Sequence, residues 1–130
     1  MNEDALLHYL TSTFEDVQIQ TVQGDHYIFY RTERHFPFAT LVTSDAHDTV
    51  SDLNRPGIFR LNIGLSRETF HSLFEAGAND QDYTVLDRLM PHPVYGKMHW
   101  VCVLNPGPAT LETVKTLLAE AYERAAAKGS

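Results

Sequence analysis

VQIQTVQGDHYIFY, from Val17 to Tyr30, is the stretch whose reading decides the fold. Apolar and polar residues alternate from Val17 to Val22, the two-residue period of a half-buried strand. Gln23-Gly24-Asp25 then supplies turn chemistry, and His26-Tyr27-Ile28-Phe29-Tyr30 follows as a second strand. Two such runs around a glycine turn predict a β-hairpin, so an antiparallel sheet is the frame on which the rest must be placed.

Upstream, Leu6, Leu7, Leu10 and Phe14 recur at helical spacing behind Glu3 and Asp4. They predict a helix over 3–14 with acidic residues at its positive end. Downstream, a polar turn at Thr32-Glu33-Arg34 precedes a third strand over 38–43, with Pro37 at its edge. A polar loop over 44–54 and the sequence Arg55-Pro56-Gly57 introduce a fourth strand over 58–63. On it Phe59, Leu61 and Ile63 share one face, and Arg60 and Asn62 the other.

Ser66 is placed to cap a short helix over 67–75, with Gly77 as its stop. Residues 78–82 read as loop, and 83–90 fit either a short helix or a strand. His99 to Leu104 is the fifth strand. Leu111, Val114, Leu118, Ala121, Tyr122 and Ala125 mark a last helix over about 110–127, leaving Lys128-Gly129-Ser130 to fray. The expected architecture is a single α+β domain over 1–130. It has one antiparallel sheet of about five strands, with N- and C-terminal helices packed on one face.

Composition narrows the function classes. The formal net charge is −7, and Lys plus Arg against Asp plus Glu count 4 to 9 in residues 1–65 and 6 to 8 in 66–130. Neither half is basic, whereas nucleic-acid binders need a positive patch for phosphate. No apolar run reaches the roughly 20 residues of a membrane span. The acidic start Met1-Asn2-Glu3-Asp4 does not match a signal peptide. One cysteine excludes an internal disulfide and fits a reducing cytoplasm.

Two constellations could carry function. Arg55, Arg60 and Asn62 could form a cationic surface for a carboxylate or phosphate, because arginine forks match those groups. The plainer alternative is a solvated sheet face with the arginine paired to Asp52 or a neighbouring strand. The second constellation lies in YTVLDRLMPHPVYGKMHWVCVLNPGP, from Tyr83 to Pro108, where His92, Tyr95 and His99 surround a proline-framed loop beside Trp100. Either histidine has a suitable ordinary pKa for a base; equally, both could simply close the sheet edge. The loop residues Asp45, His47, Asp48 and Asp52 lack the pattern of a calcium loop. Cys102, between Val101 and Val103, reads as core. No metal or cofactor site is expected, and no catalytic residue is assigned.

Three blocks, Phe36–Thr43, Asp52–Gly64 and Tyr83–Pro106 with the final helix, resemble an uncharacterised family of small bacterial proteins known only as a domain of unknown function. His99-Trp100 and Tyr122-Glu-Arg-Ala125 are more distantly similar to the MmcQ/YjbR-like proteins. That similarity implies a compact fold like that of frataxin, with a helix at each end of an antiparallel sheet. It also implies a double-wing DNA-binding arrangement, which the acidic composition opposes. The sequence therefore leads to the expectation of a cytoplasmic binding domain for a small anionic ligand or a protein partner. The alternatives are an enzyme with His92 or His99 as base and Arg60 as anion clamp, and nucleic-acid binding.

Overall fold

The hairpin turn has both central residues in the left-handed region, Gln23 at φ 52° and Gly24 at φ 86°. Two positive φ values make a type I′ turn, whose twist suits paired right-twisted strands. It sets β1 (Val17–Val22) against β2 (Asp25–Tyr30), with Val22 opposite Asp25 and Val17 opposite Tyr30.

The computed structural model describes residues 1–31, 36–74 and 81–129. Around the hairpin are α1 (Glu3–Thr13), β3 (Ala39–Val42), β4 (Arg60–Gly64), α2 (Arg67–Leu73), β5 (Met90–Pro91), a 3₁₀ turn (Gly96–Met98), β6 (Trp100–Leu104) and α3 (Leu111–Gly129). All strand pairs are antiparallel, in the order β1-β2-β3-β4-β6-β5. The α+β class and single antiparallel sheet match the expectation, but the described strands number six. The extra one comes from the ambiguous segment 83–90, which is mainly turns and ends in β5. Pro91 can pair with Val101 because β5 is the sheet edge, where a missing N–H costs no ladder bond.

The turn expected at 32–34 and the helix stop expected at Gly77 lie outside the described residues. So do 78–80, part of the expected loop, and Ser130. Lys128 and Gly129, expected to fray, continue α3. Both N-caps are side-chain acceptors: Asn2 Oδ1 takes the Ala5 N–H at 2.8 Å, and Ser66 Oγ takes that of Thr69 at 3.1 Å.

Alternation along the strands gives the sheet two different faces. Ile28, Tyr30, Ala39, Leu41, Leu61, Ile63, Val101 and Val103 point to the side where Leu6 and Leu10 of α1 and Val114, Leu117, Leu118 and Ala121 of α3 complete the main core. Fully burying one such leucine is worth about 2 kcal/mol, so this layer dominates the fold's stability. The opposite face carries a smaller cluster of Val42, Leu53, Met90, Cys102 and Leu104, packed against Ile58 and Tyr83. The plainer expectation for this second face was solvent exposure; instead Arg60 and Asn62 are 2% and 3% exposed. A loop that supplies a carboxylate to the arginine makes that burial tolerable.

A ligand-sized cavity on the second face of the sheet

Register brings the polar residues of this face into line. Tyr27 stands opposite Thr40, Thr40 opposite Asn62, and Asn62 opposite Cys102, while Arg60 lies between Val42 and Leu104. A buried guanidinium needs a partner in good geometry. Asp48 provides it, with its two oxygens 3.0 and 2.7 Å from Nη1 and Nη2, and Ser51 Oγ accepts from Nη1 at 3.0 Å. The hydrogen-bonded arginine holds the Asp48 carboxyl below its ordinary pKa, against the opposing effect of burial. Asp52, expected alongside a neighbouring strand as a partner for the arginines here, pairs with Arg55 at 3.9 Å and not with Arg60.

Asn62 gives its amide nitrogen to Thr40 Oγ1 at 2.9 Å. Asn62 Oδ1 and Arg60 Nε are the buried side-chain polar atoms without a partner among the described residues. Each such atom costs about 1–3 kcal/mol. They sit on neighbouring positions of one face of β4, at the floor of the cavity.

His92 is 7% exposed, and its Nδ1 accepts the N–H groups of both Val94 and Tyr95 at 3.0 Å. The neutral ring must therefore carry its proton on Nε2. Burial, reinforced by the Arg60 charge, pushes its pKa down to about 4. The unfolded chain titrates near the ordinary value, so it binds a proton that the folded chain refuses, and stability falls as pH drops through that interval. Between about pH 7 and pH 5 this should remove roughly 2 kcal/mol. Urea unfolding of the wild type and His92→Gln at both pH values checks it. The variant's stability should vary less with pH, and parallel curves would remove the assignment.

The cavity of about 560 Å³ above these groups has walls that include Tyr27, Phe36, Val94, Tyr95, Met98 and Trp100, and a floor that includes Thr40, Arg60, Asn62 and His92. Phe36, Met98, Val94 and Tyr95 are 81%, 65%, 54% and 52% exposed, and together they form an apolar mouth. Trp100 owes its position to Gly64, opposite it on β4, where a Cβ would stand 2.9 Å from the indole Cε2. At the rim, His47 Nε2 lies 3.0 Å from the Asp25 carboxylate and 3.4 Å from the Tyr27 hydroxyl.

Of the six residues singled out from sequence, the structure gathers Arg60, Asn62, His92 and Tyr95 around this cavity. Arg55 lies elsewhere, its guanidinium donating to the carbonyls of Asp52, Ser51 and Thr84. His99 is not part of β6. It caps the 3₁₀ turn at φ 70° and packs its ring against Phe70 and His71 of α2. The two histidines thus face different surroundings.

Thr40, Asp48 and Phe36 also line the cavity and were not singled out from sequence as binding residues, whereas Trp100 ends the His92–Trp100 segment expected to form part of the surface. Thr40 shares a face with Tyr27 only through the β2–β3 pairing, which the hairpin turn does not fix. Asp48 stood in the acidic loop with no signal to separate it from Asp45 or Asp52. Cys102 is fully buried and its thiol pKa is pushed up to about 12, chiefly by burial, so it is no nucleophile. Among the described residues no three His, Cys, Asp or Glu side chains gather as metal ligands.

Comparison with known proteins gives a family and a fold. A crystal structure of a protein from Pseudomonas syringae, solved by a structural genomics consortium, is similar with a TM-score of 0.65 at 15% identity. The match covers 96% of this chain and 99% of that one, and at this identity it speaks for the fold alone. No curated protein matches the sequence. The model of the family of unknown function DUF6194 matches residues 1–130, so the chain belongs to that family.

Proposed function

We propose that this protein is a non-catalytic binding domain whose ligand is a small molecule with a flat, uncharged body, held in the cavity over Arg60 and Asn62. The observation that carries the reading is the combination of aromatic and aliphatic walls with a polar but charge-compensated floor. Ligand sites are typically apolar hollows of this size with a few convergent polar groups. Arg60 is poorly suited to clamp an anion, because both terminal nitrogens are already engaged with Asp48 and Ser51.

The catalytic alternative has less support. With Nδ1 occupied by two N–H groups, His92 offers a donor on Nε2 and no free lone pair to act as base. A protein partner inserting an apolar side chain between Phe36 and Tyr95 is a second reading, favoured by the exposed mouth. A relation to the MmcQ/YjbR-like proteins is supported by terminal helices packed on an antiparallel sheet, and the nucleic-acid role implied there is opposed by the net charge of −7. A cytoplasmic location is consistent with a single cysteine. No described helix is long and apolar enough to cross a membrane.

Trp100 is the only tryptophan and lines the cavity, so its fluorescence reads occupancy directly. Titration with N-phenylnaphthylamine, an uncharged probe of a phenyl and a naphthyl group, should quench Trp100 saturably by energy transfer. Tyr95→Ala, which removes one half-exposed wall without touching the core, should weaken binding about tenfold. Absence of saturable quenching, or binding unaffected by Tyr95→Ala, would overturn the small-molecule reading.

A further inference from the structure

A second hollow of about 440 Å³ adjoins the first and shares Phe36, Pro37, Met98 and Trp100 with it. The second lies toward α3, on the other side of the sheet from the first, and the two meet at these four shared residues. Their charges differ. Arg60 in the first hollow is compensated by Asp48. The second hollow is lined by Arg124 and Lys128, and no carboxylate lines it among the described residues.

The two cations stand four residues apart on α3, which puts them on one helix face. Neither is in an ion pair with a described residue. Glu120, one turn before Arg124, is turned away: its carboxylate accepts the Ser66 N–H at 3.1 Å and the Thr69 hydroxyl. In a chain of net charge −7, a cationic end with no carboxylate among its described lining residues, beside an apolar hollow, is a local reversal of the overall field.

Resting on the small-molecule reading above, we propose that the ligand is an elongated aromatic acid. Its uncharged ring body fills the hollow over Arg60 and Asn62, and its anionic group reaches across Trp100 to Arg124 and Lys128. The arrangement separates two tasks that a single site performs poorly. Apolar burial of the rings needs an uncharged hollow, while the anion is bound more cheaply where both partners stay partly hydrated. It also gives the anion a location other than the already paired Arg60.

Anilinonaphthalene sulfonate and N-phenylnaphthylamine share one phenylaminonaphthalene body and differ in the anion, and both accept energy from Trp100. The Arg124→Gln/Lys128→Gln double variant should weaken the sulfonate about tenfold and leave the uncharged probe unchanged. Raised salt should weaken only the sulfonate on the wild type. If the sulfonate binds the variant as well as the wild type, or if both probes weaken equally, the cationic end plays no such part. If neither probe quenches Trp100, the small-molecule reading falls as well, so the two failures are distinguishable.

Discussion

Asp48→Ala should lower the unfolding free energy by about 3–5 kcal/mol, the loss expected when one partner of a buried ion pair is removed. Arg60 is 2% exposed and cannot move its charge to water without leaving β4, whereas Asp48 is partly exposed and its own removal opens little space. The variant therefore isolates the cost of an uncompensated guanidinium. Its Nε already lacks a partner, and after the substitution Ser51 Oγ would be the remaining described acceptor for Nη1.

Asp48→Asn, which keeps an oxygen toward the arginine without the charge, should lose distinctly less. Arg60→Met combined with Asp48→Leu should recover most of the stability, since apolar replacements of similar volume remove the desolvation cost at both ends. Urea denaturation with Trp100 fluorescence measures all three. A loss below about 1 kcal/mol for Asp48→Ala would mean that water already reaches the pair.

Asp87→Ala is expected to cost roughly 2–3 kcal/mol, because one carboxylate closes the entire entry to α3. Its Oδ1 accepts the N–H groups of Gly107 and Thr110 at 2.8 and 3.1 Å and the Thr110 hydroxyl at 2.6 Å. Oδ2 accepts the Ala109 N–H at 2.9 Å. These are donors at a helix start, which have no partner within the helix itself, and a negative charge there is favoured.

Burial opposes ionisation of Asp87, but the Thr110 hydroxyl and the three N–H groups outweigh it, so its pKa lies below the ordinary value. Its contribution is accordingly present above the unfolded carboxylate pKa and fades as pH falls below about 4. Asp87 also joins the cavity-side segment to the sheet, since its own N–H bonds Leu104 O at 2.7 Å. Amide exchange should therefore quicken around 83–90 as well as at the start of α3. Quickening confined to α3 would show that segment to be held by its other contacts, such as the Arg55 bond to the Thr84 carbonyl, without the Asp87 carboxylate.

The sequence by itself determined most of the architecture, because the elements follow short-range rules. Alternation at 17–22, the Gln23-Gly24 turn and the helical spacing of Leu111 to Ala125 each depend on residues within a few positions of one another. The same alternation correctly put Leu61 and Ile63 on one face of β4 and Arg60 and Asn62 on the other. It erred at boundaries where a single backbone angle changes the period. His99, left-handed at φ 70°, leaves the ladder one residue before β6 and packs against α2.

Only the tertiary structure decided what covers that second face. Whether Arg60 meets water or a carboxylate depends on how the long loop 44–59 folds back. That loop's path is set by one contact within it, Asp45 on the Leu53 N–H, and by distant ones, His47 on Asp25 and Asn105 on the Phe59 N–H and Gly57 carbonyl. Likewise His92 is a buried donor rather than a base because two N–H groups of its own turn fix its tautomer. Alternation assigns a side chain to a face of the sheet. What covers that face, and the charge it is left with, depend on how loops fold back over it, which alternation does not carry.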